Sequence, residues 1–173
     1  MTISSTTTTV SYTGNASTTA FPVTFAFFGT STTSEIEVIE RVIATGAEAP
    51  QTVTTHYTVS GGNGSTGTVT AVTAPAATVE WHIRRLTTQT QGTDYVENDA
   101  FPANSHEEAL DRLTMISQEQ ETDLGVAFKY SDTYTGGASV TVPDPSAGKG
   151  LQWNSGATAL ENSTYDLDSM ATD

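Results

Sequence analysis

Apolar and polar side chains alternate in short runs along most of this chain, and that alternation predicts strands. Residues 78–84 are the clearest case: Val79, Trp81 and Ile83 alternate with Glu80, His82 and Arg84, the period of a half-buried strand. Residues 7–12 read as a first strand, closed by a turn at Gly14 and Asn15. Residues 21–28 read as a second. Val23, Phe25 and Phe27 share one face, and Pro22 restricts the start to a sheet edge or a first strand position. Residues 35–42 read as a third, with Ile36 and Val38 set against Glu35 and Glu37; an acidic helix is the rival reading. Residues 53–59 and 66–72 form the fourth and fifth, joined through Gly61, Gly62, Asn63 and Gly64, where Asn-Gly accepts positive φ. Ala74, Pro75, Ala76 and Ala77 turn the chain into the sixth strand, at 78–84. Short strands joined by tight turns argue for a mainly β fold, an antiparallel sandwich or barrel-like domain.

The period changes after residue 104. Ser105 can cap free N–H groups, and Glu108 three residues on can reach back to complete a capping box. One amphipathic helix is expected from about residue 106 to 124, with Gly125 as its stop. Ala109, Leu110, Leu113 and Ile116 fall on one face. Leu110, Leu113 and Ile116 can bury against the sheet or against sister helices, each contributing roughly 1.5–3 kcal/mol if covered. Beyond Ile116 the stripe gives way to Gln118, Glu119, Gln120 and Glu121. That suits a three-fold axis opening to solvent, and equally a surface helix that frays. Gly136, Gly137, Pro143 and Pro145 then interrupt weak strand patterns at 139–142 and 150–153, and the tail carries Asp166, Asp168 and Asp173. The expected organisation is a β domain at 1–104, the helix at 105–125, and an extended, β-poor region at 126–173 that needs a partner to order it.

Charge narrows the function. Six basic residues against 20 acidic ones give a net charge of −14, which repels phosphate backbones and anionic lipids, so neither nucleic acid nor membrane is expected as a partner. There is no cysteine, hence no disulfide framework and no thiolate metal site. The opening residues Met1, Thr2, Ile3, Ser4 and Ser5 lack the basic-then-apolar pattern of a secretion signal. The longest apolar stretch, near 21–28, is too short to span a bilayer. His56, His82 and His106 show no helical metal-ligand spacing. Glu107 with Glu108, and Asp166 with Asp168, could suggest glycosidase carboxylates, but nothing marks a cleft facing both members of a pair. Gly148, Lys149 and Gly150 lack the rest of a phosphate loop. No catalytic, cofactor-binding or metal-binding residue is therefore assigned, and no enzyme activity is expected. Arg84 and Arg85 are adjacent on a strand and so point to opposite faces. One can pair with a nearby carboxylate, the other can reach a neighbouring subunit, or both can guard a sheet edge.

Several segments together resemble a known family. Tyr57, Thr58 and Val59 precede the glycine turn. A strand then ends in Ile83, Arg84 and Arg85. Next come the acidic-aromatic spacer Asp94, Tyr95, Val96, Glu97, Asn98 and Asp99, and the helix segment Glu108, Ala109, Leu110, Asp111, Arg112 and Leu113. This order, over about residues 7–125, resembles the N-terminal virion-attachment domain of tail fibres and tailspikes from short-tailed bacteriophages. Residues 149–162 resemble the linker that often follows it. The resemblance implies a homotrimeric fibre or spike base, assembled in the bacterial host cytoplasm and residing in the phage tail of the virion. Its β domain would dock on tail tube adaptor and nozzle proteins, with a distal fibre or spike as a further partner. The chain is then either a short adaptor or the base of a longer fibre, and receptor recognition is not assigned to it. A carbohydrate-binding or depolymerising β domain is the alternative, and a surface adhesin repeat is a third reading.

Overall fold

The computed structural model describes residues 3–29, 31, 35–97, 100–131 and 133–166. Among these residues nine strands and one helix follow in order: β1 Thr9–Thr13, β2 Ala20–Phe27, β3 Ile36–Val42, β4 Glu48–Pro50, β5 Tyr57–Gly61, β6 Ser65–Ala71, β7 Val79–Arg85, α1 Ala103–Gly125, β8 Lys149–Trp153 and β9 Leu160–Asp166. The chain divides into two compact units, Met1–Gly125 and Val126–Asp173. The acidic tail residues Asp168 and Asp173, and Asn98 and Asp99 of the spacer, lie outside the described residues.

In the first unit the strands make two antiparallel sheets, ordered β1-β7-β3-β4 and β2-β6-β5. Alternation explains the layering. Phe21, Val23, Phe25 and Phe27 on β2 face inward and meet Val38 on β3, Val69 on β6, and Trp81 and Ile83 on β7 in one buried cluster. The rings pack edge-on or tilted, Phe21 against Trp81 at 5.5 Å and Tyr57 against Trp81 at 6.4 Å, arrangements that add to plain burial. Trp81 also donates its Nε1 proton to Glu40 at 2.9 Å, which satisfies its polar edge. Residues 36–42 are a strand, not the rival acidic helix, because Ile36 and Val38 bury on one side. Pro22 lies on an edge strand, where its missing N–H breaks no central ladder.

The β5–β6 connection needs its glycines. Gly62 sits at φ +82°, and a Cβ there would lie 2.4 Å from the Phe27 ring. Asn63 and Gly64 also have positive φ, which suits a tight turn. Two tyrosines tie the sheets together: Tyr12 donates to the Pro22 carbonyl at 2.7 Å, and Tyr57 to the Ile36 carbonyl at 3.1 Å. Burial first, and then the Glu37 carboxylate, raise the Tyr57 phenol above its ordinary value of 10.0. The fold therefore keeps that proton longer than the unfolded chain does. The contribution is complete below about pH 10 and is lost as pH rises through the folded value. Urea denaturation from pH 8 to 11 should show stability falling above pH 10. Tyr57→Phe should flatten that fall while lowering stability at pH 8 by about 1 kcal/mol. An unchanged alkaline slope in the variant would reject this assignment.

Two expectations need correction here. The helix begins at Ala103, not after Ser105. The Pro102 carbonyl accepts the His106 N–H at 3.0 Å, so the chain has already turned helical before Ser105, and Glu108 turns forward to Arg112 instead of back to a cap. The C-terminal region is also not β-poor throughout. In the second unit β8 and β9 pair as an antiparallel hairpin, Trp153 opposite Leu160 and Leu151 opposite Asn162. Asn154 closes its turn by accepting from the Thr158 N–H at 2.8 Å. Ser139 makes only an isolated bridge, to Ala159, in place of the expected strand at 139–142.

Candidate docking faces of the helix and sheets

Helix α1 forms because residues 103–125 contain Ala, Leu, Met, Glu and Gln in number and no proline. Its inward face is unusual. The buried residues are Asp111 and Met115, with Gln118, Glu119 and Thr122 continuing the same stripe at helical spacing. The side of α1 laid on the β unit is thus largely polar, and it is held by arginines.

Arg85, at the end of β7, has a side chain only 1% exposed. Its Nε donates to Glu119 at 2.7 Å. Its Nη1 donates to the Ala26 carbonyl at 3.0 Å, and its Nη2 to Gln118 at 2.9 Å and to the Met115 carbonyl at 3.3 Å. Glu119 accepts in addition from the Thr87 N–H at 2.9 Å and the Thr87 hydroxyl at 2.5 Å. The planar guanidinium serves β2, β7 and α1 at once, a task a lysine could not match. Arg84 points to the opposite side of the strand. It pairs with Glu37 at 2.5 Å and lies 3.7 Å from Asp123, a well-exposed helix residue.

Arg112 is the third of these ties, and the sequence reading did not single it out. Its guanidinium lies 4.2 Å over the Phe28 ring, pairs with Glu35 at 2.6 Å and reaches Glu108 at 3.3 Å. Glu35 and Glu108 both line a cleft of about 650 Å3 with Asp94 and Ser105. One guanidinium engages both carboxylates. The Phe28, Glu35 and Arg112 trio could have been suspected only from the isolated arginine on an otherwise acidic helix.

The outward face of α1 carries the residues picked from the sequence. Leu110 is 52% exposed and Leu113 is 64% exposed, while Ile116 is half-buried. The sheet therefore does not cover this face. Leu113 and Ile116 edge a shallow apolar cleft with Ala109, Gly92 and Thr93. The histidines are dispersed: His56 accepts from the Thr52 N–H at 2.9 Å, His82 contacts the Ser11 hydroxyl at 2.8 Å, and His106 contacts the Tyr95 hydroxyl at 2.9 Å. Among the described residues no three His, Cys, Asp or Glu side chains gather to hold a metal, and no helix is long and apolar enough to cross a membrane. In the second unit Tyr130 stacks on Tyr134 at 4.1 Å and on the partly exposed Trp153 at 5.9 Å, a grouping the sequence reading passed over.

No family model matches the chain. Over 120 residues, 68% of its length, it is 33% identical to the tail spike protein of Salmonella phage epsilon15. The matched stretch makes up 11% of that spike, so this chain spans only a small part of the length of its relative. A β domain with a helix clamped to it by buried arginine, its apolar face outward, thus belongs to a chain related to a phage tail spike.

Proposed function

We propose that this chain is a structural virion protein that anchors a trimeric fibre or spike to the tail of a short-tailed phage. The similarity to a tail spike carries the reading. Because that match takes up a small share of the spike, what the two chains share is a module, and attachment is the role that suits a module of this build. Residues 9–85 make a two-sheet sandwich with broad faces, and the helix offers a separate apolar contact. In this reading Leu110, Leu113 and Ile116 meet two further copies of the chain. The sandwich docks on adaptor and nozzle proteins of the tail tube, and a distal fibre or spike follows beyond. The chain resides in the virion tail after assembly in the host cytoplasm, and it catalyses no reaction.

Deleting residues 1–85 from the phage gene should give particles with packaged genomes but no fibres, read by electron microscopy and by loss of adsorption to host cells. Particles that keep their fibres would reject the proposal. So would an isolated chain that degrades capsule polysaccharide.

A further inference from the structure

The sheet β2-β6-β5 contains no charged residue. Its strands lie wholly within residues 1–34 and 49–79, which hold no Asp, Glu, Lys or Arg. Its inward side chains belong to the core. Its outward side is Pro22, Thr24, Thr58, Ser60 and Thr70, all exposed, with Thr68 half-buried among them. The register sets Pro22, Thr68 and Ser60 in one row across the sheet, and Ala20, Thr70 and Thr58 in the next. The result is a broad face of hydroxyls and methyls.

A threonine-coated, water-facing side is ordinary for an antiparallel sheet. Soluble sheets, however, also place charge on that side and at their edges, which keeps copies apart. The four-stranded sheet does so, with Arg84 paired to Glu37 and Arg41 to Glu80. The three-stranded sheet does not. Its edge strand β5 has neither proline nor charge.

We propose that this threonine face is a contact surface between copies of the chain, separate from the α1 contact and resting on the trimeric reading above. Charge selects the occupant. Each copy carries −14, so copies repel wherever acidic surfaces meet. They approach at least electrostatic cost where charge is absent. A basic partner would instead be drawn to the acidic surfaces. Threonine hydroxyls both donate and accept, so one such face can satisfy another without ion pairs.

Sedimentation of the full chain between 0.05 and 0.5 M NaCl tests this. Self-association should tighten as salt rises, because salt screens the repulsion of the acidic bodies and there are no ion pairs in the contact to weaken. Thr68→Glu/Thr70→Glu should weaken association about a hundredfold, since like charges would then face each other. Thr58→Glu/Ser60→Glu, on the edge strand, makes the same test if the central-strand variant fails to fold. Circular dichroism melts identify which variants are folded. A monomeric wild type, or folded Glu variants that associate as the wild type does, would overturn the proposal. If Leu113→Asp alone dissociates the chain and both Glu variants assemble normally, the α1 contact stands and the threonine face does not. If the Glu variants dissociate and Leu113→Asp assembles normally, the threonine face stands alone.

Discussion

Arg85→Met should lower the stability of the Met1–Gly125 unit by about 3 kcal/mol, because it strands a largely buried carboxylate. Arg85 and Glu119 are 1% and 13% exposed, so water cannot replace the lost partner freely. The Ala26 and Met115 carbonyls and the Gln118 side chain lose donors at the same time. Arg85→Lys should recover only part of the loss, since one ammonium cannot span acceptors on β2 and two turns of α1. The double variant Arg85→Met/Glu119→Leu should be clearly more stable than Arg85→Met alone. Replacing both members of a buried ion pair by apolar groups removes the desolvation penalty together with the attraction. Urea denaturation of the wild type, Arg85→Met, Glu119→Leu and the double variant gives the coupling directly. A loss below about 1 kcal/mol in Arg85→Met would show that the pair is not what holds the helix.

This clamp also marks how far the sequence could be read. The alternation at Val79, Trp81 and Ile83 is legible because one side chain in two is apolar; Trp81 and Ile83 are in the core and Val79 is half-buried. The same holds for Val23, Phe25 and Phe27. Strand β4 was invisible: Glu48, Ala49 and Pro50 are all exposed and show no alternation, and only pairing with Ile39, Glu40 and Arg41 makes them a strand. Strand β9 was hidden for a similar reason, since among its residues of described burial only Leu160 is buried, and the rest reads as polar tail. The fourth strand starts later than its apolar pattern suggested, because Thr54 takes φ +69° in a turn and leaves Val53 with only an isolated bridge. The helix was the hardest element to read. Its apolar stripe left burial against the sheet or against sister helices open, and the structure removes the first: the side laid on the sheet is Asp111, Met115, Gln118 and Glu119. Periodicity counts hydrophobic side chains, so it cannot see a helix packed through buried arginine. The arginine pair on β7 was visible in the sequence. Its partner Glu119 lies 34 residues away, and only the fold brings it near.

Leu113→Asp should abolish self-association of the full chain while leaving each copy folded. The two effects separate because of where Leu113 sits. In the single chain it is 64% exposed and at the opposite side of α1 from Met115, which is fully buried. An aspartate there costs the isolated helix only its propensity difference, a few tenths of a kcal/mol. Within a contact between helices the same carboxylate would be buried without a counter-charge. That penalty is several kcal/mol, enough to weaken association by more than about a hundredfold. Leu110 precedes Leu113 by one turn on the same exposed face, so Leu110→Asp should behave alike. Met115→Asp provides the contrast, since it should unfold the helix–sheet contact whether or not copies associate. Sedimentation velocity reports the assembly, and circular dichroism melts report the fold. A wild-type chain that is monomeric at high concentration, or a Leu113→Asp chain that assembles as the wild type does, would remove the outward face of α1 as a self-contact.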